Sequence, residues 1–162
     1  LGVLVQANHG QRDDLTIAGQ PVGQHWRDDL LFDREQGSII VVVATDAPLL
    51  PHQLDRVARR ASIGIGRNGT PGGHSSGDIF LAFSTANPQD NPWNAPDVMT
   101  LKALKDTHLD AFYGALVQAT EEAVLNAMVA AMDRIAIKPI GQLVRAIDHD
   151  RLRAIEVPHV KG

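Results

Sequence analysis

Apolar and polar positions along the chain predict three main strands. Residues 38–45, SIIVVVAT, form a nearly unbroken β-branched run, which predicts a strand buried on both faces. Residues 2–7 and 78–85 are also apolar and rich in strand-forming side chains, so each predicts a further strand. The segment LTIAG at 15–19 predicts an additional strand that closes a hairpin with the first one.

Helical periodicity follows two of these strands. Pro51 suits a first helical turn, and the apolar spacing after it predicts a helix that ends near Gly64 and Gly66. Thr107 and Asp110 form a T-x-x-D start signal. The long apolar arc after that signal is rich in alanine, which predicts a helix packed closely against a sheet.

The remaining segments predict connections and one short element. Glycine, proline and charged residues make 20–36, 67–77 and 87–96 irregular. A bend at Pro139 and Gly141 precedes a short amphipathic stretch at 143–155. Without a repeat or a linker between domains, this order predicts one layered α+β unit.

Composition narrows the possible functions. The chain has 162 residues, 44% of them hydrophobic, and a net charge of −4 without blocks of like charge. One domain with a real core is therefore expected, and a nucleic-acid partner is not. The apolar run at 39–44 is too short to cross a membrane. The absence of cysteine excludes disulfides and thiolate catalysis. The compartment stays open, with the cytoplasm as our expectation.

The first residues suggest that the sequence continues a longer protein. LGVLVQANHG opens directly in strand-like sequence and carries no initiating methionine. A hydrophobic strand needs partners on both sides, so we expect preceding strands to come from an upstream segment or from another chain.

Three motifs have ordinary structural explanations. GIGRNG at 64–69 matches G-x-G-x-x-G, but it follows a helix and not a strand, and its acidic partner would be Asp90 in a proline-rich segment. The seven histidines have no metal-ligand spacing, so we predict neither a metal nor a cofactor. The neighbouring carboxylates at 13–14 and 121–122 face apart on a regular element and form no acid/base pair.

Gly37 and Ser38 carry the chemistry that the residues themselves suggest. A glycine peptide can adopt a strained conformation and can be approached closely by a nucleophile. If the Ser38 hydroxyl cleaved that peptide, Ser38 would become a chain terminus. Its α-amine, with a reference pKa of about 7.7–8.0, could then assist its own hydroxyl. The alternative is that Ser38 simply opens a buried strand.

A family resemblance favours the first interpretation. The run GSIIVVVATDAPLLPHQLDRVARRASIGIGRNGTPGGHSSGDIFLAFSTAN resembles the start of the self-cleaved β-subunit in the L-aminopeptidase D-amidase/D-esterase family, known as DmpA. That family includes the bacterial β-peptidyl aminopeptidases. GVLVQANHG and ATEEAVLNAMVAA are similar to flanking family segments. The resemblance covers most of 2–132 and fades after Asp133.

The resemblance implies roles for individual residues. Ser38 matches the nucleophile, and Ser76 and Asp78 match a serine and an acidic residue that orient its proton. Family members can carry the longer Glu at the acidic position. Asn8 matches an oxyanion-hole donor. Simpler roles remain open: Asn8 could tolerate a left-handed turn, Ser76 could bond within its loop, and Asp78 could start a strand. Ser75 competes with Ser76, but only Ser76 has the family spacing to Asp78.

The resemblance also implies an architecture and an activity. It predicts part of a four-layer α/β/β/α sandwich of the DmpA/ornithine-acetyltransferase-like kind, with residues 1–37 ending the α-subunit and 38–162 forming the β-subunit of one domain. Such enzymes remove N-terminal residues from small peptides, amides or esters without a metal, as oligomers of α/β heterodimers. The upstream α segment is expected to hold the substrate amine. The alternatives are an inactive assembly module of the same fold and an acyltransferase that uses the same intermediate.

Overall fold

The computed structural model describes residues 1–28, 30, 37–88, 93 and 96–155. The strands are β1 (Gly2–Asn8), β2 (Ser38–Thr45), β3 (Ile79–Ser84), β4 (Arg134–Ile135) and β5 (Leu143–Val144). The helices are α1 (Pro51–Ala58), α2 (Ala61–Arg67), α3 (Leu109–Val129) and α4 (His149–Ala154). Short 3-10 helices occur at Arg12–Asp14, Val22–His25 and Asp106–His108. The irregular segments predicted at 20–36 and 87–96 lie partly outside the described residues, and Asp90 lies wholly outside them.

β2 is the central strand of a three-stranded sheet. It pairs antiparallel with β1 and parallel with β3. A parallel pair requires a crossover connection, which α1 and α2 provide between β2 and β3. The three main strands predicted from the sequence are therefore confirmed, and the sheet brings the starts of β2 and β3 close to the end of β1.

The helices cover one face of this sheet. Alternate residues of β2 point into the core, where Ile39, Val41 and Val43 are at most 1% exposed. They share that core with buried residues of the helices, namely Val57, Ala61, Ile65, Leu109, Leu116 and Val124. Because side chains alternate across a strand, the other residues of β2 point to the opposite face. Ile40 is 40% exposed there, so the prediction that β2 is buried on both faces is wrong for this chain.

The opposite face of the sheet is apolar and open. Its large side chains, Leu4, Ile40, Ile79, Leu81 and Phe83, are between 40% and 71% exposed. Register places them in adjacent rows, because Ile40 pairs with Ile79 and Val42 lies between Leu4 and Leu81. One helical layer on one sheet confirms the α+β class and forms two layers of the expected four-layer sandwich.

The predicted hairpin at 15–19 does not form. Ala18 and Gly19 have positive φ angles of 50° and 76°, and an isolated bridge joins Ile17 to Gln20. The amide of Thr16 instead donates to the carbonyl oxygen of Asn68 at 2.9 Å. The segment therefore turns tightly and packs on the loop after α2, while β1 takes β2 as its partner.

The helix predicted to run from Pro51 to near Gly64 and Gly66 is divided into α1 and α2. Its end is confirmed, because α2 contains both glycines and ends at Arg67, before Gly69, whose φ is +108°. A Cβ on Gly64 would come within 2.7 Å of the Thr120 Cβ on α3. Gly64 therefore permits close packing of α2 on α3, and the helical location agrees with rejecting a dinucleotide-binding turn.

The predicted start of α3 is displaced. The helix begins at Leu109, and its N-cap residue His108 makes no side-chain cap bond. The T-x-x-D signal is therefore wrong in detail, although the long helix itself is confirmed. Asp106 accepts hydrogen bonds from Gln53 and Arg56 of α1, so a tertiary contact determines how the chain enters α3.

The last described part contains an unpredicted hairpin. β4 and β5 pair antiparallel, so the amphipathic stretch at 143–155 is a strand followed by a helix. The Asp148 carboxylate caps α4 by accepting from the amides of Asp150 and Arg151. Across the described ranges, no helix has both the length and the apolar character needed to cross a bilayer.

Candidate active site

Ser38 and Asn8 lie opposite each other at one end of the sheet. Ser38 is the first residue of β2, Asn8 is the last of β1, and the antiparallel register pairs them directly. Ile39 is fully buried on the helical side, so alternation directs the Ser38 side chain toward the open face. A hydroxyl and a side-chain amide, the two groups needed for attack and for oxyanion binding, therefore occupy one row of the sheet.

A loop carboxylate joins this end of the sheet from β3. Asp78 immediately precedes β3, and its Oδ1 accepts a hydrogen bond from the Ile39 amide at 3.0 Å. The same oxygen accepts from Ser76 Oγ at 2.5 Å. Asp78 therefore joins the start of β2 to the loop and fixes the direction of the Ser76 hydroxyl.

The Ser38 hydroxyl has a backbone donor of its own. The Gly77 amide N–H donates to Ser38 Oγ at 2.9 Å. A donor on this oxygen stabilises negative charge as the hydroxyl proton leaves, because the N–H dipole points at the oxygen that becomes charged. The contact leaves the hydroxyl hydrogen available to a base.

Gly37 lies tightly against the end of β1. A Cβ at this position would overlap the backbone carbonyl of Asn8 and approach the His9 Cα to 3.2 Å. Any side chain at position 37 would therefore displace the backbone on one side of Ser38. The glycine suggested by the sequence has a steric reason in the structure.

The simpler roles considered for these residues fit less well. Asn8 is in β1 and is absent from the positive-φ positions, whereas Gly10 has a φ of +81° and makes the turn. Asp78 bonds across to Ile39 and not only within its own turn. Ser76, not Ser75, donates to Asp78, although this bond is local to the loop.

The backbone donors at Gly77 and Ile39 were missed by sequence reasoning. Their contributions come from amide N–H groups, which every residue except proline possesses, so no side-chain signal could reveal them. A Cβ on Gly77 would lie 3.5 Å from Ser38 Oγ, an ordinary contact distance. Steric crowding therefore does not require a glycine at position 77.

The structure also locates the other carboxylates that the sequence raised as candidates. No cluster of three or more histidine, aspartate or glutamate side chains able to hold a metal occurs among the residues that the structure describes. Glu121 pairs with Arg67 at 2.8 Å and Asp13 with Arg27 at 3.9 Å, so one member of each adjacent carboxylate pair forms an ion pair. Hydrogen bonds from Arg151 lower the pKa of Asp28.

This geometry agrees with a comparison against known families. The model for Peptidase family S58 matches residues 1–138, which is most of the chain. The chain belongs to peptidase family S58. The DmpA resemblance is thereby confirmed, and the S58 match ends in the connection between β4 and β5, close to the point where the resemblance fades.

Individual proteins similar to this chain are also aminopeptidases by name. The chain is 41% identical to the β-peptidyl aminopeptidase BapA of Sphingosinicella microcystinivorans, over 96% of this chain and 42% of that protein. It is 58% identical to the L-aminopeptidase D-Ala-esterase/amidase of Ochrobactrum anthropi, with a TM-score of 0.85 over 94% of this chain and 41% of that one. A Burkholderia β-aminopeptidase is 42% identical, with a TM-score of 0.79 over 93% of this chain and 42% of its own.

Proposed function

We propose that this chain is part of a self-processing serine aminopeptidase or amidase in which Ser38 is an N-terminal nucleophile. The observation that carries the proposal is the position of Ser38. It follows a glycine held against Asn8, begins a strand, and accepts a hydrogen bond from Gly77. Membership of the S58 family and the aminopeptidase names of its relatives support the same class of activity.

The first step is an N-to-O acyl shift at the Gly37–Ser38 peptide. Ser38 Oγ adds to the Gly37 carbonyl carbon and gives up its proton, and the C–N bond to Ser38 breaks as that nitrogen takes a proton. The product is an ester between Gly37 and Ser38 Oγ. Water then hydrolyses this ester and leaves a Gly37 carboxylate and a free Ser38 hydroxyl. The crowding of Gly37 against Asn8 favours glycine at this bond.

Turnover uses the amine that processing releases. The Ser38 α-amine has a reference pKa of about 7.7–8.0, so its neutral form is available near neutral pH to accept the hydroxyl proton. The hydroxyl then attacks the substrate carbonyl, and the Asn8 side-chain amide stabilises the oxyanion. The protonated α-amine gives its proton to the leaving amine, which departs, and water then hydrolyses the acyl-enzyme to restore the Ser38 hydroxyl.

Ser76 and Asp78 act in this scheme as orienting groups. Asp78 accepts from Ser76 Oγ and from the Ile39 amide, so its negative charge lies beside the first peptide group of β2. That charge stabilises the protonated α-amine that forms when Ser38 loses its hydroxyl proton. Because Ser76 donates its single hydroxyl hydrogen to Asp78, its oxygen faces the reacting groups as an acceptor of fixed direction.

Asn8, Ser38, Ser76 and Asp78 do not by themselves enclose a substrate pocket. The chain spans about two fifths of the length of its relatives, and the apolar face of its sheet is open beside Asn8 and Ser38. We propose that an upstream α segment covers this face and binds the substrate amine. Residues 1–37 and 38–162 would be the two sides of the processing site, and the heterodimers would assemble into a homo-oligomer. Small peptides, amides or esters are the substrates.

Intact mass of the purified full-length protein tests the proposal. We expect one product that ends at Gly37 and another that begins at Ser38, and Ser38→Ala should abolish both cleavage and turnover. Gly37→Ala should also block cleavage, because its Cβ would overlap the Asn8 carbonyl. An intact chain whose Ser38 resists a serine-directed acylating agent would instead support a non-enzymatic assembly module. Higher product yield on adding an amine acceptor would identify acyl transfer.

A further inference from the structure

Two arginines hold the turn formed by residues 25–28. Arg12 Nη1 donates to the carbonyl oxygens of Asp28 at 2.6 Å and Trp26 at 3.4 Å. From the other side, Arg151 Nη2 donates to the carbonyl oxygen of His25 at 3.0 Å. The Arg151 guanidinium also binds the Asp28 carboxylate through both terminal nitrogens, at 3.1 and 3.2 Å. The turn is therefore fixed through its backbone as well as its side chains.

The contact between Arg151 and Asp28 has a well-defined geometry, although its side chains are largely exposed. The side chains of Arg151 and Asp28 are 46% and 61% exposed, and a single exposed ion pair contributes little to stability. The two-pronged arrangement and the third bond to His25 nevertheless limit the orientation of the turn. Trp26, within this turn, is itself buried and only 7% exposed.

The contact joins residues on opposite sides of the proposed cleavage site. Arg12 and the turn both precede the proposed cleavage site, whereas Arg151 follows it on α4. Gly37 is fixed separately against Asn8. Asp28 and Gly37 are thus each held in place, and Asp28 is held by a residue from the far side of the scissile bond.

We propose that Arg151 is a positioning residue for self-cleavage, an inference that rests on the proposed function. By holding the turn at 25–28, Arg151 fixes the position of Asp28, upstream of the Gly37–Ser38 peptide. A fixed upstream end lowers the entropic cost of placing the scissile carbonyl next to Ser38 Oγ. After cleavage, the same contacts join the end of the first product to the second product.

The rate of cleavage in freshly synthesised full-length protein provides the test. Arg151→Ala and Asp28→Asn should each slow cleavage by about three- to tenfold, the effect of losing a two-pronged charged contact at a partly exposed site. Arg153→Ala is the matched control, because Arg153 lies on the same helix and, among the described residues, forms its ion pair locally with Asp150 at 2.8 Å. It should cleave at the wild-type rate.

Charge exchange separates positioning from simple structural damage. The double variant Asp28→Arg with Arg151→Asp restores the attraction, so it should cleave faster than either of its single variants. High salt should slow the wild type toward the Arg151→Ala rate and affect that variant less, because salt screens exposed charges. If Arg151→Ala does not fold, Arg151→Lys and the salt series measure the same contact.

The outcomes distinguish this inference from the proposed function. A wild-type chain that stays intact overturns both. A wild-type chain that is cleaved, with Arg151→Ala equally fast, overturns only the role of Arg151. A charge-exchanged variant no faster than its single variants also overturns that role, because an unspecific structural effect would not be rescued.

Discussion

The Gly77 amide and the Ser38 hydroxyl oxygen are joined by a 2.9 Å hydrogen bond that connects residues 39 positions apart. Parallel pairing of β2 with β3 produces this contact, since it places the loop before β3 beside the first residue of β2. The serine oxygen therefore receives a fixed donor, and the loop that provides it also carries Ser76 and Asp78.

Asn8→Ala should lower kcat by about 10²–10³ while the protein remains folded, because an oxyanion donor acts mainly in the transition state. Steady-state kinetics on an amino-acid anilide substrate would measure this. Asn126→Ala is the control, since it removes the same amide group from an exposed position on α3. Equal kcat values for Asn8→Ala and Asn126→Ala would exclude Asn8 from oxyanion binding.

Ser76→Ala should slow turnover by about ten- to a hundredfold, since a hydrogen bond to a charged group contributes roughly 1.5–3 kcal/mol. Ser75→Ala removes a neighbouring hydroxyl and leaves the Ser76–Asp78 bond in place, so its kcat/KM should stay near that of the wild type. Comparing kcat/KM of the two variants decides which serine belongs to the site. A larger loss in Ser75→Ala would reverse our assignment.

Two glycines of α2 should respond to alanine in opposite directions. Gly64→Ala would bring a Cβ within 2.7 Å of the Val117 carbonyl oxygen, and overpacking of this kind costs about 1–3 kcal/mol. A Cβ on Gly66 meets nothing within 4 Å. Gly66→Ala should therefore stabilise the helix by up to about 1 kcal/mol, through helix propensity. Urea unfolding measures both, and stabilisation by Gly64→Ala would contradict the close helix contact.

Acid should remove the stabilisation contributed by Asp106. Hydrogen bonds from Gln53 and then Arg56 lower the pKa of Asp106 below its usual 3.8. A lowered folded-state pKa contributes stability that is present above pH 3.8 and is lost as the pH falls through the folded-state pKa. The wild type should therefore exceed Asp106→Asn in stability at neutral pH, and the difference should shrink in acid.

Urea midpoints across this pH range would measure the effect of Asp106. Asp55→Asn is a suitable control, because its carboxylate pairs with Arg59 on the exposed surface of α1 and makes no described contact with Gln53. A constant difference between wild type and Asp106→Asn at every pH would show that the carboxylate charge does not stabilise the fold.

Much of the fold followed from local pattern. The β-branched run at 38–45 and the strand-like runs on either side of it predicted the three main strands, because side-chain shape and polarity determine strand preference locally. The long alanine-rich helix was predicted for a similar reason. The prediction of a hairpin at 15–19 was wrong because this segment forms a tight turn instead, which is stabilised by a hydrogen bond to the carbonyl oxygen of Asn68.

The sequence by itself predicted which side chains could do the chemistry: Gly37 and Ser38 from the residues themselves, and Asn8, Ser76 and Asp78 from the family resemblance. Tertiary structure alone decided how they meet. Strand order set Asn8 opposite Ser38, and parallel pairing brought Asp78 to the Ile39 amide. These contacts depend on sheet register and backbone donors, which join residues distant in the chain and carry no local signal.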